Sequence, residues 1–560
     1  MMALRCLPAG DGAVLAELDS LDATLALFQA LGAWPTGVDE VVPAARTLLV
    51  LFQPTVVLMP KVVSWLQRRA AAVSVQGAAV HTGGGAASAD AVRRIEIPVR
   101  YTGEDLDELA DLLSMTRTEL IERHTGSDYL GAFAGFAPGF VYLAGGDPCF
   151  HGVPRRAAPR VRVSASTVAM AGDFSAIYPA DSPGGWQLLG ETPLRMWDMA
   201  RAEPALVQPG FWVRFRDLDD PGTRYSLPGT ATNSMPAVPP SGAVPDVQED
   251  DADWEYPVCE VLEVGVQTLV QDEGRLGLTH LGVSRSGALD RAAMHRANTL
   301  VGNPVGLPVL EQAMGGLRLV CRGAPVVVAV TGAVAPVVVT SASGMRLPAA
   351  AGHPVVLNPG DGLRIGRVRA GVRCYVAVRG GWAVTPVLGS CATDVLAGMG
   401  PAPLKKGDQL RVGRPPENTQ TVASRGPLAE LPRAGETVFF DVIPGPRDDW
   451  FAADALDQLV SQDWRVTPQS NRVGMRLQGD VPLARSRQGE LPSEGTVSGA
   501  LQVPPSGQPV LFLADHPLTG GYPVIAVVPV AQLDRLAQVP IGARLRFRLV
   551  SGLPEADAIR

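Results

Sequence analysis

The chain has 560 residues, a formal net charge of −8, 46% apolar residues and 19% charged residues. That length exceeds a single hydrophobic core, that apolar content excludes wholesale disorder, and the acidic balance argues against a non-specific nucleic-acid footprint. Its 61 glycines and 49 prolines are about a fifth of the chain, as suits many short strands joined by turns.

Apolar periodicity predicts a helix over 19–31, strands over 46–52 and 55–59, and a short helix over 62–70. The small-residue stretch 70–90 reads as a mobile loop or linker. A strand over 94–101 precedes two helices, 104–113 and one capped by Thr116 that ends near His124. Strands and turns fill 129–215, and the Pro-rich, then acidic segment 229–257 reads as an interdomain linker. A second half runs strand–turn–strand from Val258, interrupted by a helix over 288–301 that Gly302-Asn303-Pro304 ends. A short helix over 450–460 and further strands complete 437–550. The fold class is mainly β with α/β parts, in units of 1–92, 93–228, 258–425 and 426–552.

Six scattered cysteines, with no CxxC pair or Cys/His cluster, fit a reduced, metal-free, cytoplasmic protein. The opening MMALRCLPAGDG lacks the apolar core of a signal peptide. The apolar runs 47–59 and 325–340 are interrupted and fall short of the ~20 residues a membrane helix needs, so no membrane partner is expected. Lysine occurs only at Lys61, Lys405 and Lys406, none in a GxxxxGK[ST] phosphate loop or a biotin-bearing hairpin.

Two segments look alike: 177–193 (IYPADSPGGWQLLGETP) and 501–517 (LQVPPSGQPVLFLADHP). Each has an apolar strand, a Pro/Ser/Gly turn, a second apolar run and an acidic residue (Glu191, Asp515) two before a proline. Such a repeat suggests two related barrel-like domains with a cleft between them. Around the Pro-Gly turn of GFAPGFVYL, Phe136 and Phe140, with Trp186 further on, read either as packed core rings or as a wall for a flat ligand. Arg155, Arg156 and Arg160 form a solvated loop or an anion clamp. The Ser/Gly loop 282–290 feeds a helix N-terminus, a ready anion site or a set of caps that includes Ser286. Polar and glycine residues crowd 471–523: Arg472, Arg476, Gln502, Ser506, Gln508, Asp515, Gly520, Gly521 and Tyr522. The histidines His124, His151, His280 and His516 each read as structural.

The segments HTGSDYLGAFAGFAPGFVYL and IYPADSPGGWQLLGETP resemble the B subunit of bacterial ATP-dependent 5-oxoprolinase, also described as allophanate hydrolase subunit 1 or a Kip-type kinase inhibitor. The segments over 264–316, LGSCATDVLAGMG and GALQVPPSGQPVLFLAD…TGGYP resemble its C subunit, and related halves form the carboxyltransferase domain of urea amidolyase. The resemblance implies a cyclophilin-like barrel in each half, ATP-dependent opening of 5-oxoproline to glutamate, and a separate LamB/YcsF-type A subunit as partner. It implies ATP with Mg2+ as cofactor and no attached biotin. Asp515, Arg472 and Arg476 are then catalytic candidates. Gln271, Asp272, Arg275, Ser286, Gln502, Ser506, Gln508, Gly520, Gly521, Tyr522, Phe136, Phe140 and Trp186 are candidates for substrate binding. Alternatives are a biotin-dependent urea or amide carboxyltransferase component, or a non-enzymatic inhibitor of a histidine kinase. The chain departs from the family pattern at Ser164, Ser166, Asp173 and Phe174, and at Cys391, where Pro, Gly, Gly, Gln and Arg are expected.

Overall fold

The computed structural model describes residues 3–80, 93–156, 158–220, 222, 257–422, 430–487 and 489–550. All of the linker expected over 229–257 except Pro257 lies outside them. The first unit is an antiparallel sheet in the order Leu4–Pro8, Ala13–Leu18, Thr47–Phe52, Val38–Pro43. Helices Leu21–Ala30 and Met59–Val80 pack on one of its faces through Leu27, Val62 and Leu66. Ser20 caps the first helix by accepting from the Ala23 N–H at 3.2 Å. The strand expected over 55–59 is instead a turn, because Pro60 sits in the opening turn of the second helix, where its missing N–H costs nothing. That helix runs through residues 70–80, which the sequence suggested were loop.

Two barrel-like sheets follow, one in each half. In the first, the strands are β1 Arg94–Val99, β2 Asp128–Ala134, β3 Val141–Gly145, β4 Thr167–Ala171, β5 Phe174–Ile177, β6 Gln187–Glu191 and β7 Trp212–Asp217. In the second they are β8 Thr437–Pro444, β9 Trp464–Val466, β10 Gly474–Gln478, β11 Ala500–Gln502, β12 Val510–Phe512, β13 Val524–Val527 and β14 Arg544–Leu549. The first sheet runs β6-β4-β5-β3-β2-β7-β1, and the second closes as β13-β11-β12-β10-β9-β14-β8. Adding seven to every label of the first reproduces the second. Each sheet also has one parallel pair, β1 with β7 and β8 with β14, joining the first and last strands of its unit. The two barrels are topological copies.

The suggested repeat does not fall on equivalent strands. Residues 177–191 lead from β5 to β6, whereas 501–515 lead from β11 past β12. Glu191 is accordingly exposed on a bridge to Arg100, while Asp515 is fully buried. The kinship is real, but its signal is strand order rather than the paired peptides.

Between the barrels, residues 258–412 form two antiparallel sheets of six and five strands around a shared core that includes Leu310, Val330 and Val376. The helix Arg291–Leu300 packs on the second of these sheets. The expected helix over 450–460 is shorter, a 3-10 turn at Asp448–Trp450 followed by a helix at Ala455–Ser461.

The halves meet closely. The Phe136 N–H donates to Thr519 Oγ1 at 3.1 Å, the Gly139 N–H to the Leu281 carbonyl at 2.9 Å, and Tyr142 Oη lies 3.0 Å from Ser493 Oγ. Arg447 is buried between Glu494 and Glu17, which joins the second barrel to the first sheet. A Cβ on Gly135 would lie 2.2 Å from Thr519 Oγ1 and 2.9 Å from Thr519 Cβ, so only glycine permits this approach. Gly135→Ala is expected to cost about 1–3 kcal/mol in urea unfolding, as overpacking does. A loss below the resolution of the measurement would mean that the halves do not press together at this point.

Candidate functional site

One arginine gathers the charges of the second half. Arg472 precedes β10 and is 3% exposed. Its Nε and one terminal nitrogen donate to the two carboxylate oxygens of Asp515 at 3.0 and 2.9 Å, and the latter nitrogen also reaches the Gly287 carbonyl at 2.6 Å. Its other nitrogen pairs with Glu311, on the strand Val309–Ala313. Glu311 further accepts from the Leu289 N–H at 3.0 Å and from Tyr375 Oη at 2.9 Å. Burial would raise its carboxyl, but Arg472 and Arg373 together hold it below the usual carboxylate range.

Asp515 also takes the Ser286 hydroxyl at 2.7 Å and the Val395 N–H at 3.1 Å. Ser286 has φ +54°, a left-handed conformation that a serine tolerates only when its surroundings enforce it. Here two bonds flanking it do so: the Arg275 N–H to the Arg285 carbonyl and the Arg472 bond to Gly287. Nearby Asp394 takes the Ser284 hydroxyl at 3.3 Å, and burial together with Asp515 pushes its carboxyl up to about 6.

Ser286 forms part of the wall of a cavity of about 750 Å³ between the first sheet and the second half; the first barrel does not line it, so it is not the cleft between two barrels that the repeat had suggested. That volume lies in the range of small-molecule sites. Asp11, Asp39, Glu40 and Gln53 line it from the first unit; Ser284, Arg285, Ser286 and Arg291 from the loop and helix start; Thr496, Ser498, His516 and Asp534 from the last. The anion site expected at this helix N-terminus is filled by the protein's own carboxylates. Asp290 takes the Ala293 N–H, Asp534 the Arg291 N–H and Glu311 the Leu289 N–H.

His516 stacks on Phe512 at 5.6 Å. Its Nδ1 lies 2.9 Å from the Pro517 carbonyl and 3.0 Å from Thr496 Oγ1, whose own proton goes to that same carbonyl. A carbonyl only accepts, so Nδ1 carries the proton and Nε2 is left as an acceptor. Burial lowers the pKa of the ring, which keeps it neutral near pH 7.

Among the residues named from sequence as catalytic or substrate-binding candidates, Ser286 alone lines this cavity, while Arg472 and Asp515 lie behind its wall; His516, read from sequence as structural, also lines it. Gln271 donates to the Thr393 carbonyl; Asp272 takes the Gly274 and Cys391 N–H groups and the Ser390 hydroxyl; Arg275 binds the carbonyls of Val387 and Ala392. These three pin the loop 387–400 rather than face a ligand. Arg476 is exposed, because Met475 and Leu477 on either side of it face the barrel interior and the pleat turns it outward. Gln502 donates to the Tyr522 carbonyl, Ser506 is exposed, and Gln508 bridges the N–H and C=O of Gly479. Gly520 pairs with Glu494 in a two-stranded ribbon, Gly521 abuts Arg155, and Tyr522 lies exposed under Arg485. Phe136, Phe140 and Trp186 are packed rings, with centroids 5.1 Å apart for Phe136–Phe140 and 5.5 Å for Phe140–Trp186. Arg156 and Arg160 are consumed by Asp105, and Arg155 pairs with Glu490.

Four of the five departures from the family pattern have local accounts, and the structure does not explain Ser164. Ser166 adopts φ +66°, where the pattern has glycine, and its hydroxyl reaches the Leu194 carbonyl. Asp173 takes the Gly152 N–H, Phe174 packs on Phe133 and Tyr142, and Cys391 is buried against the Val384 carbonyl.

Glu40, Arg285, Arg291 and His516 on the cavity, and Glu311 and Asp394 behind it, were not singled out as site residues. Glu311 carried a usable signal, a lone carboxylate inside the apolar run PVLEQA.

Comparison with known proteins agrees with this architecture. Residues 4–207 match the model for the carboxyltransferase domain, subdomain C and D, and residues 281–549 that for subdomain A and B. The chain is 36% identical to the C subunit of 5-oxoprolinase from Escherichia coli (strain K12) over 296 residues, 52% of this chain and 90% of that protein. It is 44% identical to the B subunit of 5-oxoprolinase from Escherichia coli O157:H7 over 126 residues, 22% of this chain and 57% of that protein. A crystal structure of TTHA0988 in space group P212121 superposes with a TM-score of 0.75 at 33% identity, covering 96% of this chain and 99% of that one. The chain belongs to the carboxyltransferase-domain family of 5-oxoprolinase subunits, with B-like and C-like regions joined on one polypeptide. Among the described residues, no helix is long and apolar enough to cross a membrane.

Glu40 offers a test of the cavity's electrostatics. Burial pushes its carboxyl up to about 7, against the Gly277 N–H bond and Arg285, while Asp39 adds to the rise. A raised carboxyl favours the protonated folded state, so its contribution is full below pH 4.5 and is lost as pH rises through about 7. Glu40→Gln keeps an oxygen for Gly277 and should remove this decline. The melting temperature of the wild type relative to the variant is expected to fall from pH 5 to pH 8. Asp290 and Asp394 titrate in both proteins and cancel; a constant difference would contradict the assignment.

Proposed function

We propose that the chain is the fused B–C component of an ATP-dependent 5-oxoprolinase, opening 5-oxo-L-proline to L-glutamate with a separate LamB/YcsF-type A subunit. One observation carries the reading: the regions matching subdomains C/D and A/B, related to two distinct subunits in Escherichia coli, line a single cavity here.

The cavity suits the lactam rather than the nucleotide. A lactam carbonyl resists water, and converting its oxygen to a phosphate ester makes the carbon electrophilic. Charge that develops on oxygen is stabilised by fixed cations and donors in a site shielded from water, each worth ~10²–10³ in rate. Arg285 and Arg291 supply cations, Ser286 a hydroxyl held by Asp515, and neutral His516 an acceptor. ATP and Mg2+ are expected of the assembled enzyme, but the residues of this cavity do not fit a triphosphate, since Asp11, Asp39 and Asp534 share the wall. Among the described residues there is no cluster of three His, Cys, Asp or Glu suited to a metal ion. No step is therefore assigned to the nucleotide on this chain. A second reading, transfer of a carboxyl group to a urea-like acceptor with a biotin carrier supplied in trans, draws on the carboxyltransferase description of both matching models.

Purified chain mixed with its A subunit, ATP and 5-oxoproline is expected to release glutamate, and Arg285→Met to lower kcat/KM by about 100-fold. No glutamate from the assembled complex would remove the reading.

A further inference from the structure

The loop and helix start at the cavity carry an arginine that the protein leaves unused. Among the described residues, no hydrogen bond or ion pair within 4 Å reaches the Arg291 guanidinium; only its backbone N–H is bonded, to Asp534. Neighbouring Arg285 is engaged, with Nε on the Glu273 carbonyl at 3.0 Å and a terminal nitrogen 3.7 Å from the Glu273 carboxylate. Glu273 in turn pairs with His295, so its charge is already shared. The Arg291 side chain is half-buried, and Glu273, Asp534 and Asp39 act on it only at longer range, so a ligand anion would supply the direct partner it lacks. His516 presents a second unused group in the same cavity. With Nδ1–H fixed on the Pro517 carbonyl and nothing hydrogen-bonded to Nε2 among the described residues, the ring is a fixed acceptor.

We propose that Arg291 and His516 form a two-point recognition site for a small ligand bearing a carboxylate and an amide N–H, Arg291 pairing with the carboxylate and His516 Nε2 accepting from the N–H. The monoanionic class follows from the rest of the wall. Asp11, Asp39 and Asp534 would repel a polyphosphate, whereas one carboxylate matches one free guanidinium. A site built around an acceptor rejects ligands that lack the N–H, because Nε2 would then be buried without its bond. This inference rests on the lactam-opening reading for the identity of the ligand, but not for its chemistry.

Calorimetric titration of the purified full chain distinguishes the two. The probes are 5-oxoproline, pyrrolidin-2-one (no carboxylate), N-methyl-5-oxoproline (no N–H) and the open-chain amide N-acetylglycine. Wild type is expected to bind 5-oxoproline at least tenfold more tightly than either truncated lactam. Arg291→Gln should abolish the preference over pyrrolidin-2-one, and Arg291→Lys should restore part of it. His516→Phe, which keeps the stack on Phe512, should abolish the preference over N-methyl-5-oxoproline. Binding of N-acetylglycine but not 5-oxoproline, with the same dependence on Arg291, would uphold the site and overturn the lactam reading. Unchanged preferences in folded Arg291→Gln and His516→Phe would overturn the site and leave that reading standing. Binding of none of the four would overturn the site.

Discussion

The structure of the second half depends on a buried arginine. Arg472 lies within hydrogen-bonding reach of carboxylates from two separate segments, Asp515 after β12 and Glu311 in the central sheet, and of the carbonyl of Gly287 on the cavity loop. Carboxylates buried this deeply carry a desolvation penalty of several kcal/mol each unless they are paired and hydrogen-bonded. The guanidinium fork is the one side chain whose planar set of donors can satisfy all three at once. Its geometry thereby fixes the last barrel, the central sheet and the loop 282–290 relative to one another. Ser286 is held in a left-handed conformation at the cavity wall as a consequence.

The two barrels share a strand order but not this network. Arg472 stands two residues before β10, and the matching position before β3 is Gly139. Asp515 stands three residues after β12, and the matching position after β5 is Ala180. At that end the first barrel has packed rings and a tight turn that docks on Thr519 and Leu281. One copy has become a docking surface, and the other has kept the buried charges. The sheet Leu4–Phe52 then closes the chamber from the far side, so neither half alone encloses it.

Much of the architecture was legible from periodicity and caps. Thr116 caps its helix as expected, with its hydroxyl accepting from the Glu119 N–H, and the helix that Gly302-Asn303-Pro304 ends is present at Arg291–Leu300. Arg472 and Asp515 were also legible as candidates, Asp515 as a carboxylate that ends an apolar run and Arg472 as part of the polar, glycine-rich cluster over 471–523. What they do was not. Pairing across 43 residues to Asp515 and 161 to Glu311 is set by tertiary closure, which no local pattern encodes. The cavity residues were hidden for the same reason. Glu40 looks like an ordinary strand residue in VDEVVP until the Gly277 N–H arrives from the other half, 237 positions away. Conversely, Gln508, Gly520 and Tyr522 looked like a site only because turns and sites draw on the same polar and glycine residues.

Urea unfolding of Arg472→Met, alone and combined with Glu311→Gln and Asp515→Asn, measures the constraint directly. With a uniquely placed guanidinium, the single variant loses about 3–5 kcal/mol, and neutralising both carboxylates recovers most of that loss. A single variant within about 1 kcal/mol of wild type, or a triple variant less stable than the single one, would mean that the halves and the cavity wall are held together by something else.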